Sequence, residues 1–231
     1  MEFFETIARR RSIRQYTDEI VSDEVIHRAL DAALLAPNSS NTQTWDFYWI
    51  KDEVKKKKLI YICLNQSAAR TAQHLLVVTA DPKKWKRSYQ PLNEFVERVN
   101  APKIVKLYYR KLVPFVYRWG FLNSLAFLKI VSTNLAGIFR PMTRGPHTRR
   151  DLQEMSLKSA ALASENFVLA ISAQGYSTCM MEGFDECRLK KMLNLSRNAR
   201  IAMVISVGRE SNRGIWGPQF RIPKSDVVHV I

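Results

Sequence analysis

The sequence predicts an α+β or α/β fold. Helix-like and strand-like stretches intermingle along 231 residues, no internal repeat is visible, and 46% hydrophobic with 25% charged residues suits a folded core. The length fits a single domain, 1–231, carrying one elaborate segment.

The elements can be justified in order. Residues 2–9 read as a short helix with Phe3, Phe4 and Ile7 on one side, running into Arg9-Arg10-Arg11. Ser22 can cap a second helix, and Asp23 and Glu24 suit the positive end of its dipole. Val25, Ile26, Ala29, Leu30, Ala33 and Leu34 give that helix an apolar face, and Pro37 ends it. Six short polar residues, 38–43, read as a loop. Residues 45–50 are aromatic and β-branched, and 75–80 form an apolar run, so both predict strands, the second one buried.

The stretch 154–174 is rich in Ala, Ser and Leu and free of Gly and Pro, which predicts a long helix with Gly175 past its end. A strand follows near 177–181. Asp185 can cap a helix through Leu195, 201–207 is an apolar strand ending at Gly208, and 226–231 can form a last strand.

Residues 82–150 interrupt this pattern. They hold 15 Lys and Arg against Glu94 and Glu97, so nearly all of the chain's net charge of +15 resides there, with 11 of the 24 aromatics. Within them, 112–139 is largely apolar, broken by Arg118 and Lys129. Those two stand 11 apart, close to three helical turns, and so would share a face. Charges at such positions are costly in a bilayer, which disfavours a spanning helix and favours an amphipathic lid or docking helix pair over 83–150.

Peripheral membrane contact is a competing reading. Lys83, Lys84, Lys86 and Arg87 surround Trp85, and Arg110, Lys111 and Arg118 flank 112–117, a pattern that suits anionic lipid. Nucleic acid is a weaker partner, since no recognised binding motif accompanies the charge and the apolar runs favour burial.

Cys63, Cys179 and Cys187 are odd in number and read as reduced thiols, not a disulfide framework. His27, His74, His147 and His229 are scattered, without metal-ligand spacing. The start, Met1-Glu2-Phe3-Phe4-Glu5, does not resemble a signal peptide, so a cytoplasmic protein is expected.

Four short constellations carry chemistry. Arg10, Arg11, Ser12 and Arg14 offer converging charge and donors to a phosphate, or else form a solvated helix end. Between Pro37 and Trp45, Asn38, Ser39, Asn41 and Gln43 offer amides and a hydroxyl to a polar heterocycle, or else the stretch only terminates a helix. Met181, Glu182 and Gly183 run from a strand into a helix start, where a glycine admits a flat ring against the backbone. An ordinary strand–helix turn capped by Asp185 is the alternative. Arg209 and Arg221, near the C-terminus, are further phosphate candidates or surface charges.

Taken in order, Arg-Arg-Ser-x-Arg, Pro-x-Ser-x-Asn-x-Gln-x-Trp, Glu-Gly-Phe-Asp and Gly…Arg-x-Pro resemble the nitroreductase family of flavoproteins. The resemblance covers 2–81 and 151–231, and leaves 83–150 as a basic helical insertion in the single domain. It implies an α+β, three-layer α/β/α fold around a mainly antiparallel sheet, in an intertwined homodimer with shared FMN sites. It also implies that Arg10, Arg11, Ser12 and Arg14 contact FMN and that Pro37, Asn38, Ser39 and Asn41 reach the flavin of the partner subunit. Asn65 or Gln66 would touch the ring edge, Glu182 and Gly183 would lie by its reactive side, and Arg221 would meet the phosphate. Thr44 and Met180-Met181 stand where relatives often have proline, which could reshape the pocket. The implied activity takes hydride from NADH or NADPH and delivers it to a flat acceptor such as a nitroaromatic or a quinone. Desaturation, dehalogenation or ring fragmentation are alternatives on the same frame. No catalytic side chain is expected, because the flavin carries the chemistry.

Overall fold

The computed structural model describes residues 2–121 and 124–231. Its centre is a four-stranded sheet of β1 (Trp45–Trp49), β2 (His74–Ala80), β3 (Ser177–Met181) and β4 (Arg200–Gly208), in the order β1-β2-β4-β3, with every neighbouring pair antiparallel. Alternation along β2 sorts the core into two faces. Leu75 and Val77 point one way, and Leu76, Val78 and Ala80 the other.

On β4, Val204 shares the first face with Ile201, an odd spacing that strict alternation forbids. The reason is a shift in the β2–β4 register, where Val78 faces Met203 but Thr79 faces Ile201. Ala202 is the extra residue of a bulge.

Each sheet face is covered by helices. One packs against α3 (Glu53–Ile62), the short α4 (Ser67–Arg70) and α10 (Glu186–Met192), through Leu59, Ile62, Ala69 and Leu189. The other meets α2 (Asp23–Leu34) and α9 (Arg149–Ala173), through Ile26, Ala29, Ala33, Ala163, Phe167 and Ile171. Small residues on both helices let them pack closely. The result is the three-layer α/β/α architecture that the resemblance implied.

Several expectations need correction. The long helix starts at Arg149, not near 154. Thr148 accepts from the Asp151 amide while the Asp151 side chain accepts from the Thr148 amide, a capping box that fixes the start. Gly175, at φ 84°, does stand just past its end. The helix capped by Asp185 closes at Met192, short of Leu195. Ser22 precedes α2 without a side-chain capping bond.

In α1 (Phe3–Arg9), Thr6 is buried, while Phe3, Phe4 and Ile7 face outward. Residues 226–231 form no strand: a 3-10 turn at Lys224–Asp226 is followed by irregular, exposed chain. A strand needs an edge to pair with, and this tail lies off the sheet.

The basic segment forms a satellite of helices: α5 (Trp85–Arg98), α6 (Lys103–Leu107), a π-helical stretch Tyr108–Leu112, α7 (Val113–Tyr117) and α8 (Ser124–Phe139). Its own core is small, made of Trp85, Val113, Tyr117 and Leu152. Arg118 and Lys129 do not share a helix face, as their spacing had predicted; Arg118 ends α7 and Lys129 lies on α8. Among the described residues, no helix is long and apolar enough to cross a membrane.

Candidate functional site

The segment after α1 is held along β3 by an isolated parallel bridge. Ser12 bridges Thr178, and the Ile13 amide donates to the Thr178 carbonyl at 3.0 Å. Ile13 is 1% exposed and anchors the segment in the core. Alternation then turns its neighbours Ser12 and Arg14 to the opposite side.

There they meet the C-terminal loop. The Arg14 amide donates to the Gly214 carbonyl at 2.9 Å, and a Cβ on Gly214 would stand 2.7 Å from the Gln15 carbonyl oxygen. Only a glycine lets the two segments lie this close.

Between them opens a cleft of about 300 Å³, lined by Arg10, Arg11, Ser12 and Arg14 and by residues 215–221, Arg221 included. Its walls hold four guanidinium groups and no carboxylate. The Arg11 guanidinium donates to the Gly217 carbonyl at 2.6 Å, and Arg14 lies over the Trp216 ring, 4.4 Å from its centroid. Arg10 reaches Glu165 of α9 at 3.8 Å, and Arg221 donates to the carbonyl of Phe220.

Such converging, incompletely balanced charge suits a dianion such as a phosphate monoester. Arg14 also acts on Cys179 behind it: burial pushes that thiol up, and the nearby cation offsets only part of the rise.

Further along β3, three residues or about 10 Å of strand from Thr178 to Met181, the chain turns toward α10. Met181 is buried in the core, and Glu182 is exposed. The Gln66 side-chain amide donates to the Gly183 carbonyl at 2.6 Å, and a Cβ on Gly183 would meet that amide nitrogen at 3.1 Å. Gln66 precedes α4, just after Leu64 and Asn65, both at positive φ. The Arg10–Arg14 segment and the Gln66–Gly183 pair thus flank the same strand.

The polar loop lies elsewhere. Pro37 and Asn38 lead into a 3-10 turn, Ser39–Asn41, in which Ser40 and Asn41 take positive φ. Asn38 Oδ1 accepts from the Gln43 amide at 2.8 Å, and its Nδ2 donates to Asn41. The Ser39 hydroxyl donates to Met155 of α9. Ser40 pairs with the Tyr108 hydroxyl at 2.6 Å, and Thr42 with that of Tyr117 at 2.7 Å. Among the described residues, no hydrogen bond joins this loop to the arginine cleft.

Arg209 is placed apart from the other arginine candidates. Its guanidinium is engaged by Glu19 at 2.9 Å and by the Gly175 carbonyl at 2.6 Å, and it stacks on Tyr176. It does not line the cleft. Trp216 and Gly217 do, and sequence reasoning passed over them. Their only signal was a Gly- and aromatic-rich stretch between two arginines.

A nitroreductase-family profile matches residues 7–209. The chain belongs to the nitroreductase family. This family member is 26% identical to DrgA of Synechocystis over 213 residues, which cover 91% of it and 85% of DrgA. It is 23% identical to MhqN of Bacillus subtilis, named among the NAD(P)H nitroreductases, across 98% of both chains. A structure from Exiguobacterium sibiricum in complex with FMN superposes with a TM-score of 0.74 at 24% identity, covering 100% of this chain and 98% of that one. These matches extend through residues 83–150 as well as the flanking frame.

Proposed function

We propose that this chain is an FMN-dependent oxidoreductase that takes hydride from NADH or NADPH and delivers it to a flat acceptor such as a nitroaromatic or a quinone. The observation that carries the reading is the four-arginine cleft standing beside the Gly183 turn on one strand. The names of MhqN and the FMN complex of the Exiguobacterium protein support it.

The residues present fit the cofactor. Arg10, Arg11, Ser12, Arg14 and Arg221 would hold the phosphate, in a cleft without an opposing carboxylate. Glu182 and Gly183 would face the ring through the main chain, and Gln66, whose amide fills the space a Gly183 side chain would take, would stand at the ring edge. FMN, when bound, supplies the centre that accepts and returns the hydride. Protein donors along the ring would favour its reduced, more electron-rich form.

A cleft of about 300 Å³ sits at the small end of ligand pockets, which supports a site whose walls a second copy completes. Pro37, Asn38, Ser39 and Asn41 would complete them from a second copy, in a homodimer. The outward Phe3, Phe4 and Ile7 support that reading, as does a tail in which Gly214 is the only buried residue after Glu210. A tail that buries almost nothing on its own chain suits wrapping around a partner.

The test is an absorption spectrum of the purified protein, followed by anaerobic addition of NADH and of NADPH. Bound flavin should bleach with at least one nucleotide. Arg14→Ala and Arg221→Ala should each weaken FMN binding about tenfold or more, the loss expected for a charged hydrogen bond. Gly183→Val should displace Gln66 and lower flavin affinity as well. A colourless wild-type protein that cannot be reconstituted with FMN would sink the reading.

A further inference from the structure

Helix α8 is built inside out. A surface helix normally turns its apolar stripe to the core and its charges to water. Over Ser124–Phe139 only Ala126 and Lys129 are buried, while Phe127, Leu128, Leu135, Ile138 and Phe139 face outward. Phe121, just before the helix, is exposed too.

Lys129 is buried by design of its contacts. Its ammonium donates to the Val116 carbonyl at 3.1 Å and to the Arg118 carbonyl at 2.5 Å, and lies 4.9 Å from the Phe115 ring centroid. These bonds cap the end of α7 and fix which way α8 faces. The apolar side is therefore locked outward.

Charge identifies what this side meets. From Arg98 to Arg150 the chain has eleven Lys and Arg and no Asp or Glu. Lys111, Arg118, Arg140 and Arg144 are exposed around α8. The same face of a second copy would bring like charge against like charge. An anionic surface with an apolar interior matches both features. At 16 residues, about 24 Å, α8 is too short to span a bilayer core of about 30 Å. It suits lying in the plane of the interface.

We propose that the outer face of α8, with the basic residues around it, docks this protein on an anionic lipid surface. The full chain, purified with its flavin, is to be sedimented with phosphatidylcholine vesicles, with and without phosphatidylglycerol. It should pellet with the anionic vesicles at low salt, stay in solution with the neutral ones, and be released as salt is raised.

Lys111→Gln and Arg140→Gln should each lower partitioning about fivefold. Leu135→Glu should abolish it with the circular dichroism melt unchanged. In the conservative Phe127→Trp variant, fluorescence should shift to the blue on adding anionic vesicles. No pelleting of folded wild-type protein at low salt would overturn the proposal, as would equal pelleting with neutral vesicles. So would a Phe127→Trp emission already blue-shifted without lipid, coupled to a Leu135→Glu variant of lower molecular mass, because a second copy then covers the face.

Discussion

Four arginines in the cleft and one outside it have the same charge and different work. Arg209 closes a contact between the turn after α9, the Tyr176 ring and Glu19. Arg209→Ala should lower stability by roughly 1 kcal/mol, modest because the pair is partly solvated, and leave flavin affinity unchanged. Thermal melting and a flavin titration on the same sample separate the two effects. Flavin loss without a change in melting would return Arg209 to the site.

Sequence order sufficed to pick out Arg10, Arg11, Ser12, Arg14 and Arg221, which come to line one cleft, because each belongs to a short motif of unusual composition. It could not separate Arg209 from them, since the distinction lies in Glu19, 190 positions away. Nor did it mark Trp216, whose role follows from Arg14 lying over its ring.

Elements with a strong period were the most legible. The strand at 177–181 falls where the sequence placed it, and α2 and the two apolar strands differ by a residue or two. Helix α3 was not foreseen. Lys55 to Lys58 run consecutively and leave no visible stripe, yet Leu59 and Ile62 are buried. The tail failed as a strand for the converse reason: local propensity cannot supply an edge to pair with.

His74, at the start of β2, ties the strand pair to its surroundings. Its Nδ1 accepts from Trp49 Nε1 at 3.3 Å, and its Nε2 lies 2.8 Å from the Val21 carbonyl, to which the neutral ring can donate. Burial holds this imidazole below its ordinary value, so the neutral ring is the native form. The unfolded chain therefore takes up a proton first, near pH 6.5. His74 should contribute its full stability above that pH and lose it as pH falls toward the depressed native value. Urea midpoints measured across this window should decline less steeply in His74→Gln than in the wild type.

At the scale of the molecule, charge and core are both divided. Nearly all net charge sits in 82–150, so the cleft's arginines belong to an otherwise balanced frame. This was legible from counting alone. What the segment does with its apolar residues was not: the composition foretold helices, and only the packing revealed that α8 turns them outward and Lys129 in.

The core division has a consequence for motion. Helix α9 gives Leu152 to the satellite cluster and Ala160, Ala163, Phe167 and Ile171 to the sheet core. The satellite core has four buried members, and few buried contacts make a region open at lower free energy than the rest. One continuous helix then spans two cooperative units. In native-state hydrogen exchange its amides should separate into two classes, a faster-opening N-terminal part that reaches past the first turn to Met155 and a slow remainder beyond Ala160. A single uniform protection factor along α9 would mean that the satellite opens only with the whole protein.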